Sequence, residues 1–189
     1  MQAAVVDPGG DLEKIMQEAG SAGVRPGKIL LTHAHFDHAG GAHELAERLS
    51  IPIEGPHIDD QPLVENLGYQ ARNFGCPPVP SFVPDRWLAQ DDLVEIGNLK
   101  LRVLHCPGHT PGHVVFFHPA SRLAFVGDVL FKGSIGRTDF PLGNHSALID
   151  SIRQQLWPLG DDVTFVPGHG PLSTLGIERR SNPFVGDGR

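Results

Sequence analysis

The chain has 189 residues and a net charge of −7, with 23 glycines, 17 prolines and only two cysteines, Cys76 and Cys106. This length suits a single domain with a proper core, and the acidic balance argues against nucleic acid, whose phosphates call for a basic face. The apolar runs are too short to span a membrane, and two isolated thiols make no disulfide framework, which suits a reducing compartment such as the cytoplasm.

Taken in order, Ala3 to Val6 reads as a strand running into the turn Asp7-Pro8-Gly9-Gly10. The first residues lack the basic and long apolar regions of a signal peptide. Asp11 is placed to cap a helix carrying Leu12, Ile15, Met16 and Ala19 at helical spacing, ended by Gly20 or Gly23. Lys28 to Thr32 reads as a strand, Gly40 or Gly41 opens a helix through Leu49, and Ile51 to Glu54 is another strand. Asp59 to Leu67 reads as helical, and the proline-rich stretch from Cys76 to Pro84 as a loop. Two hairpins follow: Asp92–Ile96 with Lys100–Leu104 around Gly97-Asn98, and Val114–His118 with Arg122–Val126. A helix over Ala147 to Leu156, capped by Asn144 or Ser146, a strand at Thr164–Val166 and a short helix over Ser173–Arg180 close the chain. Alternating strand–helix units with hairpins indicate a mixed sheet system covered by helices, without repeats or a second domain.

Histidines and aspartates gather where these strands end. His33-Ala34-His35-Phe36-Asp37-His38 directly follows a strand. Residues i and i+2 of extended backbone point the same way, so His33 and His35 can share one metal ion. The turn toward Gly40 can swing Asp37 and His38 toward a second ion. His109 (in Gly108-His109-Thr110-Pro111-Gly112-His113), Asp128 and His169 (in Pro167-Gly168-His169-Gly170) follow three further strands. Five imidazoles and two carboxylates without a thiolate suit zinc, iron or manganese with open positions. Seven donors exceed one ion and suit two with a carboxylate between them. His113 is read as supporting the ligands from behind, and the remaining histidines as structural or exposed. No Gly-x-Ser-x-Gly elbow is present, so a serine nucleophile is a poor reading.

These residues together resemble the metallo-β-lactamase superfamily. The stretch Gly127 to Pro141, with Pro171 to Gly176 and Asn182-Pro183-Phe184, is similar to the compact bacterial glyoxalase II (hydroxyacylglutathione hydrolase) type. The resemblance implies an α+β fold, an αββα sandwich lacking its first strands here, as one N-terminally short domain over 1–189 without a C-terminal helical domain. It implies one ion on His33, His35 and His109, a second on Asp37, His38 and His169, and Asp128 bridging, with Asp7 a structural acid nearby. The ions expected are two divalent metals, zinc first, with iron or manganese as alternatives. The implied activity is metal-dependent hydrolysis of a glutathione thioester, S-D-lactoylglutathione, to glutathione and D-lactate, with Asp37 and Asp128 as the catalytic carboxylates. Arg137 and Lys132 are the candidates for the substrate's carboxylates. Arg137 falls where longer members carry a basic residue, while their tyrosine two positions on is Asp139 here. Rival readings on the same fold are a mononuclear iron persulfide dioxygenase and a lactone or β-lactam hydrolase. No nucleic-acid or membrane partner is expected, and the sequence leaves the oligomeric state open.

Overall fold

A computed structural model describes residues 1–188. The chain forms two compact units: Met1–Leu88 together with Glu95–Lys100, and Ala89–Val94 together with the chain from Leu101 onward.

The first unit is built on a three-stranded parallel sheet, β1 (Gln2–Val6), β2 (Arg25–Leu30) and β3 (Ile53–Glu54), in that spatial order. Parallel neighbours need crossover connections. These are α1 (Leu12–Ser21) between β1 and β2, and α2 (Phe36–Ala39) with α3 (Ala42–Leu49) between β2 and β3. Leu12, Ile29, Leu31, Ala42, Leu45 and Ile53 form the core, the two helices burying their apolar stripes on β2. Asp11 precedes α1 as expected but sits in the left-handed region, and its carboxylate caps nothing. After β3, a 3₁₀ turn (Ile58–Asp60) and α4 (Gln61–Glu65) occupy the predicted helical segment. A further helix, α5 (Leu67–Asn73), extends past the predicted end because Leu67 and Ala71 are fully buried.

The second unit holds most of a six-stranded sheet ordered β11-β10-β7-β6-β5-β4. Its strands are β4 (Leu93–Ile96), β5 (Leu99–His105), β6 (Val114–His118), β7 (Leu123–Gly127), β10 (Thr164–Pro167) and β11 (Ser173–Thr174). Four residues of β6 are buried in succession, as a central strand covered on both faces requires, whereas β5 alternates from Lys100 to Val103. A separate short hairpin, β8 (Leu130–Phe131) with β9 (Ser134–Ile135), was not legible in the sequence. α6 (His145–Ser151) is capped by Asn144, which accepts from the Ala147 N–H, and continues through a π turn, Ile152–Leu156. The predicted last helix begins two residues late. Ser173 and Thr174 pair with β10, and Thr174 caps α7 (Leu175–Ser181) by accepting from the Ile177 N–H. Val115, Phe117, Val126, Leu148, Ile152, Leu156 and Phe165 lie at the centre of this unit's core.

Candidate functional site

In the first unit the ligand-type residues leave the C-terminal end of β2, the end at which open α/β sheets place their ligands. The segment is held from below by distant groups. Asp60, fully buried, accepts the Ala34 N–H at 2.9 Å. Gln70 accepts the Phe36 N–H and donates to the Ala34 carbonyl, both at 3.2 Å. His35 stays extended at the start of α2, and Asp37 and His38 follow within its first turn. A Cβ at Gly9 would fall 1.6 Å from the Asp37 carbonyl oxygen, so only glycine lets the Asp7-Pro8-Gly9-Gly10 turn pack against this helix.

The rings of His33 and His35 lie 4.9 Å apart, and those of His33 and His38 4.1 Å apart. Asp7 orders them. Its Oδ1 accepts the Thr32 N–H at 2.7 Å and its Oδ2 accepts the Thr32 hydroxyl at 2.6 Å. That hydroxyl has only one proton, so toward His33 Nδ1, 3.0 Å away, it must accept. His33 is therefore the Nδ1–H tautomer, with its lone pair on Nε2. His38 Nδ1 donates to Asp7 Oδ2 at 3.1 Å, which places its lone pair on Nε2 as well. Asp7, His33 and His38 cluster closely enough to share an ion. The Asp7 oxygens are engaged by the Thr32 donors and the His38 Nδ1–H, an arrangement that suits a supporting acid. His38 Nε2 lies 3.7 Å from Asp37 Oδ2.

In the second unit β5 and β7 both run antiparallel to β6, and β10 runs parallel to β7. The C-terminal ends of β5, β7 and β10 therefore share one sheet edge. Gly127 is paired with Pro167, and the Gly168 N–H donates to the Gly127 carbonyl at 2.8 Å. Asp128 and His169 thus emerge side by side, with His109 in the β5–β6 loop. Asp128 Oδ2 stands 3.6 Å from His109 Nε2 and 3.8 Å from His169 Nε2. Two donors on one tetrahedral zinc at ordinary bond lengths lie about 3.4 Å apart. The Asp128 carboxylate is therefore spaced to share metal coordination with His109 and with His169. His109 Nδ1 donates to the Arg137 carbonyl at 2.8 Å, which again leaves the lone pair on Nε2. His113 has the opposite role. It is buried, and its Nε2 accepts the Asp128 backbone N–H at 3.0 Å, which fixes the backbone at Asp128. A Cβ at Gly136 would come within 1.9 Å of the Asp128 carbonyl oxygen.

A histidine that ligates a metal through one nitrogen normally anchors the other to a carboxylate, carbonyl or similar group. His33, His38 and His109 each show this arrangement, so the donor set present fits divalent metal. Thr32, Asp60, Gln70 and the Arg137 carbonyl were not singled out in the sequence. Only Thr32 carried a signal, as a hydroxyl immediately before the first histidine.

The substrate-side candidates differ. Lys132 is exposed and has no ion pair among the described residues. Arg137 forms a fork with Asp139, Nε to Oδ1 and Nη2 to Oδ2 at 2.7 Å each, and its guanidinium lies over the Phe140 ring at 3.9 Å. No helix among the described residues is long and apolar enough to cross a membrane.

Comparison with known proteins places the family and the fold. Residues 1–169 match the model of the metallo-β-lactamase superfamily. The chain is 45% identical to hydroxyacylglutathione hydrolase GloC of Haemophilus influenzae over 184 residues, covering 97% of this chain and 87% of that protein. Among solved structures it is similar to TTHA1623 in a di-iron-bound form, with a TM-score of 0.86 and 42% identity over 94% of this chain and 87% of the other. It is also similar to BLEG-1 B3 metallo-β-lactamase, with a TM-score of 0.87 and 38% identity over 95% and 86% of the two chains.

Proposed function

The chain belongs to the metallo-β-lactamase superfamily and has its fold, and from that premise we propose that it cleaves S-D-lactoylglutathione to glutathione and D-lactate. It is a metallohydrolase of the glyoxalase II type. The observation that supports metal-dependent hydrolysis is the shared tautomer of His33, His38 and His109, each held through Nδ1, together with the spacing of Asp128 to His109 and His169, and the choice of a glutathione thioester rests on the 45% identity to hydroxyacylglutathione hydrolase GloC.

In this reading His33, His35 and His109 hold one divalent ion, Asp37, His38 and His169 hold a second, and Asp128 serves both. Zinc is the first candidate. Iron is the alternative, supported by the di-iron form of TTHA1623. Bound ions of this kind supply hydroxide at neutral pH and a Lewis acid for the carbonyl oxygen. The chain's own contribution is to fix the donors. Asp7 and Thr32 lock two histidines of one unit, while the Arg137 carbonyl and His113 lock His109 and Asp128 of the other. The departing thiol has a pKa of about 8.5, so it leaves as thiolate without a dedicated general acid. Lys132 and Arg137 are the candidate cations for the substrate's carboxylates, Lys132 directly and Arg137 only through the part of its guanidinium that Asp139 leaves available. We place the activity in the cytoplasm, in one catalytic domain.

The test is thioester cleavage by protein loaded with zinc or iron, with metal content measured on the same sample. Turnover that disappears with a chelator and returns with metal is expected. Folded protein that binds two ions and leaves S-D-lactoylglutathione intact would refute the substrate. The similarity to BLEG-1 favours a second reading, β-lactam hydrolysis, which a chromogenic cephalosporin assay on the same sample decides.

A further inference from the structure

Arg137 stands beside the site through its backbone, whose carbonyl holds His109. Its guanidinium is already engaged. A carboxylate matches one edge of an arginine fork, and the Nε–Nη2 edge of Arg137 carries Asp139 with both bonds at 2.7 Å. Phe140 covers the guanidinium plane at 3.9 Å.

Resting on the thioester-hydrolase reading, we propose that Asp139 is a specificity-determining residue: an internal carboxylate that occupies Arg137 and disfavours anionic thiol carriers relative to neutral ones. An incoming carboxylate must displace Asp139 or accept the other edge of a guanidinium whose charge is already balanced. Arginine holds the Asp139 carboxyl down to about 2, so the competitor stays ionised throughout the neutral range. Both partners are solvent-exposed, and an exposed pair of this kind contributes modestly, so the discrimination is tunable and not absolute. Lys132, which has no such partner, is left as the cation open to the substrate.

The experiment compares lactoyl thioesters of glutathione, which is anionic, and N-acetylcysteamine, which is neutral, on metal-loaded protein. Asp139→Asn should lower the ratio of the glutathione KM to the N-acetylcysteamine KM by about two- to fivefold, the range of an exposed ion pair. Arg137→Ala should raise that ratio more in the Asp139→Asn background than in the native one, because only there is the arginine released. A ratio that is unchanged or rises in Asp139→Asn overturns the proposal, as does an Arg137→Ala effect equal in both backgrounds. Binding of S-methylglutathione, measured by calorimetry, gives a readout without turnover. If neither thioester is cleaved, the hydrolase reading fails, and tighter S-methylglutathione binding in Asp139→Asn still supports the role of Asp139, while unchanged or weaker binding overturns it.

Discussion

Replacing Thr32 by valine removes one hydroxyl and little volume, so it tests the Asp7–Thr32–His33 relay without opening a cavity. The hydroxyl donates to Asp7 Oδ2 at 2.6 Å and accepts from His33 Nδ1 at 3.0 Å, and both Thr32 and His33 are fully buried. A hydrogen bond to a charged acceptor contributes about 1.5–3 kcal/mol, and an orphaned buried N–H costs about 1–3 kcal/mol. The two partly overlap, and the Thr32 N–H bond to Asp7 survives, so a loss of about 2–4 kcal/mol is expected. For a chain of this size that corresponds to a fall in Tm of about 5–15 °C. The His33 ring also loses the contact that fixes its tautomer, and losses of this type weaken metal binding about 10- to 100-fold. The assays are thermal unfolding of metal-free protein and zinc titration against a competing chelator. Thr32→Ser retains the hydroxyl and should restore most of both quantities. A valine variant that melts within about 2 °C of the native protein and binds zinc equally well would refute the assignment of Thr32 as the relay.

Three further outcomes follow from the geometry. Gly136→Ala forces a methyl to within 1.9 Å of the Asp128 carbonyl oxygen and 3.3 Å of His109 Cβ, so it should displace both residues and reduce metal affinity and kcat together. A native-like zinc titration would refute that. Cys106 is buried and burial pushes its thiol pKa up, whereas Cys76 is exposed. A thiol reagent should therefore modify one cysteine in the native protein and both in denaturant, with mass spectrometry locating the first at Cys76. The Asp139 carboxyl is depressed to about 2 by Arg137. A depressed acid stabilises the pair above its unfolded value and loses that contribution as pH falls through the folded one. The Asp139 carboxyl signal followed by NMR should therefore remain ionised at pH 4 and titrate near 2, and a midpoint at the ordinary aspartate value would show the fork is not formed in solution.

The chain's own order of residues made the principal elements legible and singled out seven candidate donors, His33, His35, Asp37, His38, His109, Asp128 and His169. Hydrophobic periodicity marked α1, α3, the β6–β7 hairpin and α6, because each pattern is local and its period belongs to one kind of element. The His33–His38 run and the glycine-flanked His109, Asp128 and His169 could be read because metal donors are chemically distinct and close backbone approach requires glycine. Boundaries set by long-range contact were not legible. α5 persists because Leu67 and Ala71 are buried and Gln70 reaches back to the Phe36 N–H and the Ala34 carbonyl. β8 and β9 are too short for any periodicity and are anchored by α7 and the residue that follows it, since Glu178 accepts the Gly133 N–H and Asn182 donates to the Ser134 carbonyl. Asp11 has the residue type of a cap but not the backbone for it. The tautomers of His33, His38 and His109 and the capture of Arg137 by Asp139 were decided only by the folded chain. A hydrogen bond between residues 25 to 31 positions apart, or the pairing of a guanidinium with the carboxylate two positions on, depends on where the backbone places each donor. Composition and spacing carry the chemistry of the donors, and tertiary packing decides which nitrogen of each is presented.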